Sequence, residues 1–199
     1  MLGISNIFGR KRLRRDARQN ERRIYPVYDN LKSIIFLFTI EREEDIELLY
    51  RCCLLFAEQG LDFSALVHVK KRKLEESARR NAEYDITLYG RKALTLSGIP
   101  KQRFKADLAK KSHDLLINFN EGEDFAAKYL SATLESNFTV AMREERDIKY
   151  DLVISAPGGG LLDKFEFAEK LCFYLKNLAP ATDPVPEKRK PEKGGEDEE

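Results

Sequence analysis

Hydrophobic and polar positions along this chain follow two alternating patterns. Short, nearly continuous apolar runs recur, and between them apolar residues return every three or four positions. Lys32 to Thr39 reads KSIIFLFT. A run this short, with no in-and-out alternation, predicts a strand covered on both faces. Phe63–Val69, Tyr84–Tyr89, His113–Phe119, Phe138–Met142 and Tyr150–Ser155 predict five more strands. After the first run, Ile46, Leu49, Cys52, Cys53 and Phe56 share one helical face. Glu43, Glu44 and Asp45 occupy that helix's first turn, where carboxylates suit the dipole, and Gly60 ends it. Lys70 to Arg80 predicts a charged helix with few apolar positions. Residues 91–111 are less regular: Ser97-Gly98-Ile99-Pro100 marks a turn, and Phe104 and Leu108 predict a short helix. Phe125, Ala126, Tyr129, Leu130 and Leu134 form another helix face. The last helix opens on Asp163 with Glu166 at capping-box spacing, and buries Phe165, Ala168, Leu171, Cys172, Leu175 and Leu178.

Strands alternating with helices predict βαβ units. The expected fold is a single three-layer α/β domain over residues 30–178, with a Rossmann-like, mainly parallel sheet flanked by helices. Residues 1–29 then form a basic arm. Residues 179–199 carry Pro180, Pro184, Pro186 and Pro191 and many acidic residues, with too little apolar surface to offset their ordering entropy. They are expected to be a disordered tail.

Charge changes this picture. The 199 residues sum to +1, but the arm is strongly basic, the tail acidic and the body close to neutral. Residues 1–23 of the arm hold Arg10, Lys11, Arg12, Arg14, Arg15, Arg18, Arg22 and Arg23 against Asp16 and Glu21. Clustered arginines can neutralise phosphates with release of counterions, so RNA, the ribosome or another acidic surface is the expected partner. A peripheral membrane contact is the other reading, with Met1, Leu2, Ile4, Ile7 and Phe8 inserting. Between Phe8 and Arg23 the arm has only Leu13 and Ala17 as apolar residues. It is therefore expected to have little to dock with.

No stretch reaches the roughly 18 apolar residues of a membrane span. The basic run follows the short apolar start, the reverse of a secretory signal, so a cytosolic protein is expected. Cys52, Cys53 and Cys172 are read as buried thiols. No metal site and no cofactor are expected.

Ligands of open α/β sheets bind beyond the carboxyl ends of strands. Thr39, Asn118, Asn120 and Ser155 fall there, together with Gly158, Gly159 and Gly160, whose amides could hold an anion. The stretch APGGGLLDK matches neither a dinucleotide fingerprint nor a P-loop. Asp85, Asp114 and Asp151 each open a strand, at the opposite edge, and read as structural. His68 is read as a sheet-face residue without a convincing partner, His113 as solvated, and Glu43-Glu44-Asp45 and Glu144-Glu145 as solvated charges. No catalytic residue is assigned. The expectation is a non-catalytic binding or interaction module; the alternative is a small-ligand domain for a nucleotide or sugar phosphate.

The segments IIFLFTI, FAEQG, LTLSGIP, HDLLINFN, YLSATLESNFTVAMR, YDLVIS and EFAEKLCFYLKNL together resemble a family of small Bacteroidota proteins of unknown function. The resemblance spans about residues 30–178 and implies no activity. HDLLINFN with YLSATLESNFTVAM is also similar to a stretch in the N-terminal half of heptosyltransferase-type glycosyltransferases. Those enzymes need two Rossmann-like domains, with the nucleotide-sugar site in the second. This chain has room for one, so that likeness implies a degenerate, non-catalytic domain.

Overall fold

The most apolar run of the chain is also its central strand. β1 (Ile34–Ile40) is buried at every position, as a strand with helices on both faces requires. A computed structural model describes residues 3–17, 26–79, 83–121 and 124–177. The proposed tail, and Arg18, Arg22 and Arg23, lie outside the described residues.

The elements follow in chain order as α1 (Gly3–Asp16), β1, α2 (Glu44–Glu58), β2 (Phe63–Val69), α3 (Leu74–Ala78), β3 (Ile86–Tyr89), α4 (Gln102–Leu108), β4 (His113–Asn118), α5 (Phe125–Thr133), β5 (Ser136–Ala141), β6 (Leu152–Val153) and α6 (Lys164–Asn177). The sheet order is β3-β2-β1-β4-β5-β6, and every neighbouring pair is parallel. This is the strand order of Rossmann-like folds, with the topological switch between β1 and β4. The register aligns Thr39 with His68, His68 with Tyr89, and Leu37 with Asn118.

The two sheet faces bury separate cores. Ile34, Phe36, Phe38 and Ile40 point to α2 and α6, where they meet Leu49, Phe56, Phe167 and Leu171. Ile35 and Leu37 point to the other face, where α5 contributes Ala126 and Leu130 and α4 adds Phe104 and Leu108. Cys52, Cys53 and Cys172 are free, buried thiols, as read from the sequence. Burial pushes the Cys52 and Cys53 thiols up to about 12.

Several expectations need correction. α1 is docked: Leu13 is fully buried in a cluster with Ile99 and Tyr129, and Gly9 lets the helix approach the Phe125 ring, which a Cβ would meet at 3.0 Å. One leucine in the right place suffices where a count of apolar residues had argued against docking. His113 is buried rather than solvated, with its Nδ1 3.0 Å from Ser33 Oγ. Burial, then the nearby Lys111, lowers its pKa below the ordinary histidine value. The charged segment after β2 supplies only the short α3. β6 is two residues long; just before it the Asp151 amide bonds the Thr139 carbonyl, while the Asp151 carboxylate takes the Thr139 amide and hydroxyl. Asp114 likewise accepts the amides of Lys32 and Ser33. Both aspartates are structural braces at the amino edge.

Candidate functional site

The carboxyl edge of the sheet carries a buried polar row. Thr39 and His68 are the last residues but one of β1 and β2, Tyr89 ends β3, and the register sets them side by side. Asp124 joins them from the N-cap of α5. Its Oδ1 accepts the amides of Ala126 and Ala127 at 3.0 and 3.1 Å. Its Oδ2 accepts the Thr39 hydroxyl at 2.6 Å and lies 2.5 Å from His68 Nδ1. Burial would raise the Asp124 carboxyl, but the bonds and charge of His68, with Thr39 and the helix amides, hold it below the ordinary carboxylate value. His68 stacks on Tyr89 with ring centroids 4.9 Å apart. The histidine therefore has a partner, contrary to the sequence reading. Thr39 is bonded to the carboxylate and not to the imidazole, so the trio is not arranged as a nucleophile–base–acid relay. Asp124 was missed because its signal is only that of an ordinary helix cap.

Asn118 and Asn120 come together in a second network. Asn118 Oδ1 accepts the Asn120 backbone and side-chain amides at 3.1 and 2.6 Å. Asn118 Nδ2 donates to the Tyr150 hydroxyl at 2.8 Å, and that hydroxyl donates to Glu145 at 2.7 Å. Glu145 also pairs with Lys128 of α5 at 3.0 Å. Its side chain is only 8% exposed, so it is a buried hub and not a solvated loop charge. Lys128 lies 3.7 Å from Asp147, which Arg14 of α1 reaches at 3.0 Å. A chain of charges thus ties the basic helix to the sheet's edge.

Backbone amides that could hold a phosphate just before α2 and at the starts of α5 and α6 are already filled. Asp45 accepts the Glu41 and Arg42 amides at 2.8 and 2.9 Å and lies 3.6 Å from Lys164, so it too is not a solvated charge. Asp124 fills α5. Asp163 caps α6 through the Phe165 and Glu166 amides. The glycine loop forms a turn over Pro157–Gly159, with Gly158 and Gly159 at φ 79°, a conformation that favours glycine. Ser155, Gly159 and Gly160 line an open cavity of about 540 Å³ with Arg143; Gly158 does not line it. The ligand candidates therefore separate into three groups: Thr39 with Asp124, Asn118 with Asn120, and Ser155 with the glycine turn.

The strongest charge lies on the α5 face. Arg10, Lys11, Arg12, Arg14 and Arg15 are exposed along α1. Residues 91–112 add Arg91, Lys92, Lys101, Arg103, Lys105, Lys110 and Lys111, a second basic segment that sequence reading did not single out. The two segments meet at a cleft of about 230 Å³, which Asp16 of α1 lines together with Gln102, Lys105 and Ala106 of α4. Their two carboxylates are engaged internally: Asp16 with Arg12, Arg15 and Tyr129, and Asp107 with Lys110.

A family of unknown function, DUF6913, matches residues 6–178. The chain belongs to that family. No curated protein and no solved structure matches it. The DUF6913 match starts inside α1 and runs past the end of α6. It therefore takes in the basic helix as well as the sheet, and it extends neither to a taxonomic group nor to glycosyltransferases. Among the described residues of this DUF6913 chain, no three His, Cys, Asp or Glu side chains are grouped to hold a metal ion. No helix among them is long and apolar enough to cross a membrane.

Proposed function

We propose that this DUF6913 protein is a non-catalytic, cytosolic binding module that takes RNA across the basic face formed by α1 and residues 91–112. The observation that carries this reading is the docking of α1. A basic helix fixed on a folded scaffold, beside a second basic segment, presents its cations without the ordering entropy a loose arm would lose. Twelve basic residues face two acidic ones over residues 3–17 and 91–112, and both acidic side chains are held in ion pairs. The carboxyl edge offers less. Its carboxylates and amides are largely bonded to one another, which supports neither a catalytic centre nor a phosphate pocket.

Fluorescence anisotropy with a labelled single-stranded RNA, repeated across a salt series, tests the reading. Binding is expected to weaken linearly on a log–log plot, with a slope of roughly −0.7 per phosphate neutralised. The variant R10E/K11E/K110E changes three exposed side chains and should lose at least tenfold in affinity and flatten the slope. Affinity that ignores salt, or survives the triple reversal, would overturn the proposal. Association with anionic vesicles in preference to RNA would also overturn it, in favour of a membrane surface.

A further inference from the structure

The cleft between α1, α4 and α5 lies within the basic face and is part of no other site. We infer that it takes one unstacked nucleobase of the RNA that the surrounding cations hold. This inference rests on the reading above and gives it a specificity. Three features carry it.

The first is the build of the cleft. Its volume is about 230 Å³, with an apolar wall from Ala106 and Ala109 of α4 and Leu130 and Leu134 on the α5 side. A flat, apolar-faced ring suits such a wall, whereas a phosphate does not. The second is the rim. Lys105 Nζ donates to the Tyr129 hydroxyl at 3.1 Å and sits 5.2 Å from that ring's centroid. Its ammonium is thus fixed at the entrance instead of sweeping through solvent. Asp16, Glu135 and Gln102 complete the polar edge.

The third is position. Arg103 and Lys110 lie on α4 or just beyond it, on the same short segment as Gln102 and Ala106, and Arg12 and Arg15 grip the same Asp16 that lines the cleft. A strand whose phosphates follow these cations passes directly over the opening. Single-strand binders combine such a backbone track with places where bases pack.

The test compares oligo(rA), oligo(rC), oligo(rU) and an abasic ribose-phosphate oligomer of equal length, by anisotropy on the full chain. The A, C and U oligomers should each bind at least tenfold tighter than the abasic one. Ala106 is exposed on α4, so Ala106→Trp can fill the cleft without disturbing the core. That variant should bring all four oligomers to the abasic affinity while leaving the salt slope unchanged. If all four oligomers bind the wild-type chain equally, the cleft takes no base, and the basic face still stands. If the base preference survives Ala106→Trp, the cleft is not its source and the inference is wrong. If no oligomer binds, the RNA reading itself falls and this inference falls with it.

Discussion

Asp124 accepts from four donors at once, and none of them is near it in sequence except the two amides of its own helix. Asn in its place would still cap α5, but it would leave His68 and Thr39 without a charged acceptor. Asp124→Asn should therefore lower stability by roughly 2–4 kcal/mol, the scale of weakening two buried hydrogen bonds to a charged acceptor while keeping the cap. The sign of its pH dependence follows from the depressed carboxyl. The folded form holds the charge more tightly than the unfolded chain does. Its stabilisation is therefore complete above the ordinary carboxylate value and disappears as the pH falls through the lower folded value. Urea midpoints of the wild type and Asp124→Asn should accordingly converge below about pH 4. A gap that stays constant into acid would remove the charge from the explanation. This cluster was barely legible beforehand. Thr39 was marked by its place after an apolar run, but His68 and Asp124 are 56 positions apart, and nothing in a linear pattern links a strand's end to a helix cap.

At the level of elements, patterns with long periods were read well and short ones poorly. β1, β2, β4, α2, α5 and α6 each have a strong apolar signature, and each lies where that signature put it. β6 and α3 are shorter than expected: beside β6 the Asp151 carboxylate takes the Thr139 amide, and α3 buries only Leu74 and Ala78. The docking of α1 was missed because it rests on a single leucine and a glycine approach. Leu13→Ala tests that dependence directly. The substitution removes a fully buried side chain, an effect of about 2–5 kcal/mol in a core, though here only the helix's own docking free energy can be lost. Amide exchange in α1 should become fast while β1 and β4 keep their protection. Uniform loss of protection over the whole chain would show instead that α1 folds as one unit with the sheet.

Over the whole molecule, charge is segregated while its sum is nearly nil. Residues 41–58, which include α2 on the opposite sheet face, hold Glu41, Glu43, Glu44, Asp45, Glu47 and Glu58 against Arg42 and Arg51, whereas the α1–α4 side is basic. Such a molecule interacts by its patches and not by its net charge. Near neutral pH, where the formal charge is +1, it should nonetheless be retained on a cation exchanger and elute only with salt. The triple reversal on α1 and α4 should run through unretained. Equal retention of the two proteins would mean that the basic face does not act as a coherent patch.

The distance along the chain between α1 and its seat also has a consequence in time. Tyr129, which packs on Leu13 and bonds Asp16, follows that aspartate by 113 residues. At synthesis rates of about 5–20 residues per second, the basic helix waits roughly 6–23 s for its docking site to be made. Throughout that interval the five cations of α1 have no scaffold to hold them, and the basic face exists only once the α5 segment that seats the helix has been made.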